Sequence, residues 1–290
     1  MSRTYSLALL AATAFSFTTH ATPSPVATPA LSACAAAQLD RTAPVGRLIA
    51  SDGAECTGTL LGPTVVLTAA HCAWRRLPAE LRFSLSASTG KFARVKKIVL
   101  NPKFTIPRKG QALGPDLAML QLDGINYGRV SPFFPPSIAA EAIGTGGKGW
   151  VVGFGLEEKG TSGVRHSKEV TLADAKAVTG SDSVVIANGL LRFLRGSTGE
   201  TACPGDSGGP ILVEVRGLIG IVGVVSAGKL EDERTVAIAY KSKKDKSMFF
   251  CKHAETLEAV ATAPYFNWIS ESLQALETRP YQSPCANNQR

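Results

Sequence analysis

Three short segments hold the residue types that nucleophilic hydrolysis needs. They are Thr68-Ala69-Ala70-His71-Cys72, Gly114-Pro115-Asp116-Leu117-Ala118-Met119-Leu120 and Cys203-Pro204-Gly205-Asp206-Ser207-Gly208-Gly209-Pro210. A serine hydroxyl is a poor nucleophile at neutral pH, so a neutral imidazole must take its proton as the new bond forms. That imidazole needs a carboxylate on its other nitrogen, to hold the tautomer and stabilise the imidazolium. The developing oxyanion needs preorganised N–H donors. The glycines around Ser207 suit that demand, because they let the backbone turn sharply and let the N–H groups of Gly205 and Ser207 point at one spot. His71, Asp116 and Ser207 are therefore the candidate catalytic residues. Asp123 is the rival carboxylate, but it stands in Leu122-Asp123-Gly124, a turn signature. The five residues from Gly205 to Gly209 also fit the Gly-x-Ser-x-Gly pattern of an α/β-hydrolase esterase. That reading needs a strand–turn–helix context and a histidine after the serine, whereas His71 comes far before it.

The elements that must position these residues read as short strands. Apolar or β-branched runs at 45–50, 56–61, 65–69, 95–100, 117–122, 150–152, 183–187, 211–215 and 218–225 are separated by Gly, Pro, Asn and Asp. Such spacing, with few helical periods between, indicates an all-β sandwich or barrel. The tail differs. Tyr265, Ile269, Leu273 and Leu276 recur at helical spacing, which predicts an amphipathic helix over about 264–277 with Pro264 in its first turn. No internal repeat is present.

The three segments resemble the TAAHC, DIALL and GDSGGP motifs of chymotrypsin-like serine proteases, in that family's order of His, Asp, Ser. Cys56-Thr57-Gly58-Thr59-Leu60-Leu61 resembles the strand before the histidine loop, and Gly153-Phe154-Gly155 the family's GWG turn. Val224-Val225-Ser226-Ala227-Gly228 resembles the strand that binds substrate backbone, and Pro264-Tyr265-Phe266-Asn267-Trp268-Ile269 the start of the terminal helix. The resemblance covers about 45–276. It implies two six-stranded antiparallel β-barrels with a C-terminal α-helix, and a triad of His71, Asp116 and Ser207 in the cleft between the barrels. It also implies an oxyanion hole of Gly205 and Ser207, and substrate contacts at Thr201, Ser226 and Gly228. By the same resemblance Cys56 pairs with Cys72 and Cys203 with Cys251. That leaves Cys34 and Cys285, which would clamp the chain ends.

Two departures from the family bear on function. Thr201, six residues before Ser207, stands where a trypsin-like enzyme has an Asp, and neither Ala202 nor Val225 adds a charge. An uncharged substrate side chain is the expectation. Leu257-Glu258-Ala259 replaces the usual Gly-Val-Tyr, so the far wall is altered, and Glu258 could restore a basic preference if it turned inward. Many relatives also expose an Ile-Val-Gly-Gly terminus whose amine pairs with the Asp before the nucleophile, here Asp206. No such tetrapeptide precedes Cys56. Either the terminus near 22–30 plays that part or Asp206 has another partner.

The whole chain sets the context. Arg3, the apolar run 7–17 and the small Ala21 read as a signal peptide over 1–21. Residues 22–43 read as an extended segment or short pro-region, 44–277 as the peptidase domain with barrels at about 44–136 and 137–262, and 278–290 as a tail. The expectation is a secreted chain, extracellular or periplasmic, with no membrane anchor after signal cleavage. The six cysteines all follow the cleavage site, which points to disulfides in an oxidising compartment. Zinc-type Cys-x-x-Cys spacing does not occur, and neither a metal nor a cofactor is expected. The 290 residues are 44% hydrophobic and 19% charged, an ordinary globular composition. The net charge of +8 is scattered except in the run 241–246, a solvated loop rather than a polyanion site, so nucleic acid is not an expected partner. Expected partners are a polypeptide substrate and protein protease inhibitors, with the chain a monomer. His166 and His253 read as solvated loop residues. A rival from another class is a catalytically silent homologue that acts as a binding module; such proteins usually lose a triad residue, and all three are present here.

Overall fold

The computed structural model describes residues 42, 44–85, 91–106, 114–123, 130–144, 148–157, 161–171, 190–194, 202–229, 251 and 256–277. Twelve strands form two closed antiparallel barrels of six. The first contains β1 (Val45–Ala50), β2 (Glu55–Leu60), β3 (Val65–Thr68), β4 (Leu81–Ser84), β5 (Ala93–Leu100) and β6 (Ala118–Asp123), paired in the order β1-β2-β3-β6-β5-β4. The second contains β7 (Lys148–Gly153), β8 (His166–Thr171), β9 (Leu190–Leu194), β10 (Pro210–Val215), β11 (Leu218–Lys229) and β12 (Thr256–Ala261), in the order β10-β11-β12-β9-β8-β7. Closure leaves neither sheet with an open edge, the usual answer to the edge-strand problem in all-β proteins. The architecture is the one expected from sequence. The strand expected at 183–187 lies outside the described residues.

Among the described residues, three helices accompany the barrels: a single turn α1 (Ala70–Ala73), α2 (Pro136–Gly144) and α3 (Phe266–Leu276), which follows a 3-10 turn at Ala263–Tyr265. The apolar face of α3 buries Ile269 and Leu276 in the core of the first barrel, alongside Leu48, Leu60, Phe83 and Leu120. Each such side chain contributes about 1.5–3 kcal/mol through burial. This core continues through Val152, Phe154, Leu212 and Val224, so one apolar cluster runs across the junction of the barrels. The crossing segment is stitched to both sides. Ser131 N–H donates to Leu60 O (2.8 Å), Ile221 N–H to Pro132 O (2.9 Å) and Phe134 N–H to Ile221 O (3.1 Å). Among the described residues no helix is long and apolar enough to cross a membrane.

Candidate active site

β3 and β6 are neighbours, with Thr68 opposite Ala118. His71 lies just beyond the end of β3 and Asp116 just before the start of β6, so this register alone puts the two side by side. Asp116 holds His71 at two points: Oδ2 lies 2.6 Å from Nδ1, and Oδ1 accepts the His71 backbone N–H at 2.8 Å. Two contacts fix the ring's position and direct Nε2 away from the carboxylate. Asp123 sits at the other end of β6, exposed and opposite Arg94.

Asp116 has a third partner. Ser226 Oγ donates to its Oδ2 at 2.6 Å. Ser226 is the extra residue of a bulge in β11, where the pairing with β12 shifts between Val225 and Ala227. Bulges of this kind re-aim a side chain, here from the second barrel onto the carboxylate of the first. Burial pushes the Asp116 carboxyl up. The hydrogen bond and charge of His71, helped by the Ser226 hydroxyl and the His71 amide, outweigh it and hold the group below the usual carboxylate range.

Ser207 lies in a tight loop before β10, between glycines with positive φ, Gly205 (100°) and Gly208 (83°). A Cβ at Gly208 would collide with Thr68 Oγ1 and the Thr57 carbonyl. The loop amides divide into two sets. Asp206 N–H donates to Cys203 O (2.9 Å), Gly208 N–H to Val225 O (2.7 Å) and Gly209 N–H to Asp206 O (2.9 Å). Among the described residues the N–H groups of Gly205 and Ser207 have no such acceptor. Thr57 of β2 ties this loop to the first barrel: its N–H donates to Ser207 O at 2.8 Å and its Oγ1 to Gly205 O at 2.7 Å.

Cys56 and Cys72 are bonded, as are Cys203 and Cys251. The Cys72 sulfur lies 3.6 Å from His71 Nε2 and 3.8 Å from Ser207 O, so the first bridge touches both the histidine and the serine loop. The donor atoms of Cys56, His71 and Cys72 fall within 4.8 Å of one another, a metal-like grouping, but the two sulfurs are joined and offer no thiolate. Gly228 lies on β11 opposite Leu257 of β12. Thr201, Cys34, Cys285 and His253 lie outside the described residues.

His166 departs from its expected place. It is the first residue of β8, not part of a solvated loop, and its side chain is only 10% exposed. The cause is Asp206, which is fully buried. His166 Nε2 lies 2.9 Å from Asp206 Oδ1, approaching obliquely rather than along an N–H line, and Lys168 Nζ lies 3.7 Å from Oδ2. Gly155 N–H and Cys203 N–H donate to the same carboxylate at 2.8 and 2.9 Å. Burial drives this carboxyl up, yet His166, Lys168 and the Cys203 amide together bring it below the ordinary range. His166 and Lys168 do not stand out as site residues in the sequence because no short motif marks them, and Thr57 stands out only as part of the strand before the histidine loop.

The fold and this cleft define a class, serine-type endopeptidases built on paired β-barrels. The model of the Trypsin family matches residues 37–246, and the chain belongs to that family. It is similar to human (Homo sapiens) granzyme M, 27% identical over 224 residues that cover 74% of this chain and 77% of the relative. It is also similar to mouse (Mus musculus) tryptase, 29% identical over 194 residues covering 60% of this chain and 69% of the relative.

Proposed function

We propose that the chain is a secreted endopeptidase that cuts peptide bonds through Ser207, His71 and Asp116 and an acyl-enzyme intermediate. The observation that carries this reading is the two-point hold of Asp116 on His71. In the proposed reaction Ser207 Oγ attacks the scissile carbonyl carbon while His71 Nε2 takes its proton. Asp116 stabilises the resulting imidazolium. The carbonyl oxygen becomes an oxyanion facing the uncommitted amides of Gly205 and Ser207. The C–N bond then breaks, His71 gives its proton to the departing amine, and the acyl group remains on Ser207. Water attacks this ester, losing its proton to His71. The C–Oγ bond breaks and the proton returns to Ser207.

An uncharged substrate side chain fits best beside the cleft. Ala202, Val225 and Leu257 belong to one buried apolar cluster, with Leu257 at 1% exposure. Against these three side chains a Lys, Arg, Asp or Glu would lose hydration without meeting a counter-charge, which is strongly unfavourable. Export is supported by the leader-like residues 1–21 and the two disulfides. The substrate is a polypeptide, protein protease inhibitors would fill the same cleft, and the enzyme acts as a monomer without a cofactor.

Fluorophosphonate labelling of the exported protein, with turnover of a denatured protein substrate, is the test. Labelling and turnover are expected in the wild type, and both should vanish in Ser207→Ala while the circular dichroism spectrum is retained. A folded wild type that neither labels nor cleaves is a silent binding module. Labelling that persists in Ser207→Ala would place the nucleophile elsewhere.

A further inference from the structure

We infer that His166 and Lys168 supply the counter-charge that locks Asp206, and through it the Gly205–Ser207 turn, so that this enzyme sets its oxyanion donors without a newly cut N-terminal amine. The inference rests on the catalytic reading above. A carboxylate with no exposure is strongly unfavourable unless paired and hydrogen-bonded. Asp206 is both, with two backbone amides and two basic side chains around its two oxygens. His166 Nε2 approaches Asp206 Oδ1 to 2.9 Å, close enough for the imidazole to pair with the carboxylate when it carries a proton. Glu157 Oε1 lies 3.8 Å from Nδ1 on the other side of the ring, so the imidazole stands between two carboxylates.

The surrounding backbone is arranged for this pairing. His166 and Lys168 are two apart on β8, so both face the same side of the sheet. Their partners on β7 are Gly153 and Val151. Glycine at 153 and at 155 leaves room for the carboxylate, because a Cβ at Gly155 would lie 2.6 Å from Asp206 Oδ1 and one at Gly153 would sit closer still. Lys168 is itself buried and lies 3.5 Å from Cys203 Sγ, wedged between the disulfide and the carboxylate. Asp206 stands between the two residues whose amides are uncommitted. Loss of its anchoring to Gly155 and Cys203 would free the turn and let both donors move off the 2.7–3.1 Å distance that oxyanion stabilisation demands. His166 and Lys168 act through Asp206 and touch no substrate, so they are positioning residues.

The experiment has two arms, run on exported protein whose wild type labels at Ser207. That labelling keeps a failure here distinct from a failure of the catalytic reading. In the first arm a short peptide extends the mature N-terminus, which removes any role for its amine without altering the fold. Unchanged kcat is expected, and loss of kcat would overturn the inference by showing that the amine is the partner of Asp206. In the second arm His166→Gln/Lys168→Met is compared with Lys168→Arg. The double variant should lose roughly 10²-fold in kcat, as when one oxyanion donor is removed, with KM little changed. Lys168→Arg should retain most of the activity. A double variant with wild-type kcat would overturn the proposal. So would one with raised kcat, which would make the pairing a latch that holds the enzyme inactive. If the double variant does not fold, the N-terminal extension still decides.

Discussion

Thr57 lies outside the proposed triad, yet four hydrogen bonds converge on it. It donates to Ser207 O and Gly205 O, and it accepts from Phe154 N–H (3.1 Å) and from Thr68 Oγ1 (2.7 Å). Because Thr57 and Thr68 belong to the first barrel and the other three residues to the second, the backbone and side chain of Thr57 together join the wall that carries His71 to the loop that carries Ser207. Asp206 does the corresponding work within the second barrel, and its charge makes that work depend on pH. Its folded pKa lies below the unfolded carboxylate value of about 3.9. Such a group contributes stability that is fully present above the unfolded value and is lost as pH falls through the folded one. Asp206→Asn, which leaves His166 and Lys168 facing an uncharged group in the interior, should cost about 3–5 kcal/mol at pH 7. The deficit should shrink as pH falls below about 4, because the carboxyl of the unfolded wild type then takes up a proton that the folded one resists. Urea unfolding at pH 7 and pH 3 measures both gaps. A deficit equal at the two pH values would mean that the charge of Asp206 does not hold the loop.

Between elements, β11 and β12 are the strands that the proposed reading places along the substrate cleft. Gly228 faces Leu257 across the two strands, and Leu257 is packed with Ala202 and Val225. Leu257→Ala should cost about 2–5 kcal/mol as a core truncation and widen the wall, so that large aromatic side chains gain in a peptide-library digest. An unchanged cleavage profile would show that this wall does not set specificity. The same two barrels show what a sequence makes legible. Ser207 and His71 stand out as candidates because glycines and a cysteine beside them fix the backbone locally, and Asp116 because it opens an apolar strand. Strand β8 was not legible as a strand. Its inward positions are His166, Lys168 and Val170, so two polar residues interrupt the apolar alternation that marks a half-buried strand, and the segment reads as a solvated loop. In β12, Glu258 and two alanines dilute the β-branched signal in the same way. The contact of Ser226 with Asp116 depends on a bulge, a property of pairing that no single strand's sequence encodes.

At the scale of the molecule, a cleft between two barrels works only if the barrels keep their spacing, and α3 belongs to that constraint. It follows β12 of the second barrel but docks on the first. Gln121 of β6 donates from Nε2 to Leu276 O at 2.6 Å, capping the helix end. One residue further on, the Glu277 carboxylate accepts both the N–H and the Oγ1 hydrogen of Thr64, each at 3.0 Å. The chain thus returns from the last strand of one barrel to the turn before β3 of the other, the strand that leads into His71. Two hydrogen bonds to a charged carboxylate are stronger than neutral ones, and Thr64 is itself buried, so its donors would be left unsatisfied without that partner. Glu277→Ala should therefore cost about 1–3 kcal/mol, which for a chain of this size lowers Tm by roughly 2–10 °C. The residue is remote from Ser207, so kcat per labelled active site at 25 °C should be unchanged, provided the rest of α3 stays seated. Calorimetry alongside active-site-titrated turnover separates the two effects. An unaltered Tm would show that the Thr64 contact contributes nothing to stability, and a fall in kcat at full labelling would show that α3 holds the catalytic geometry as well as the fold.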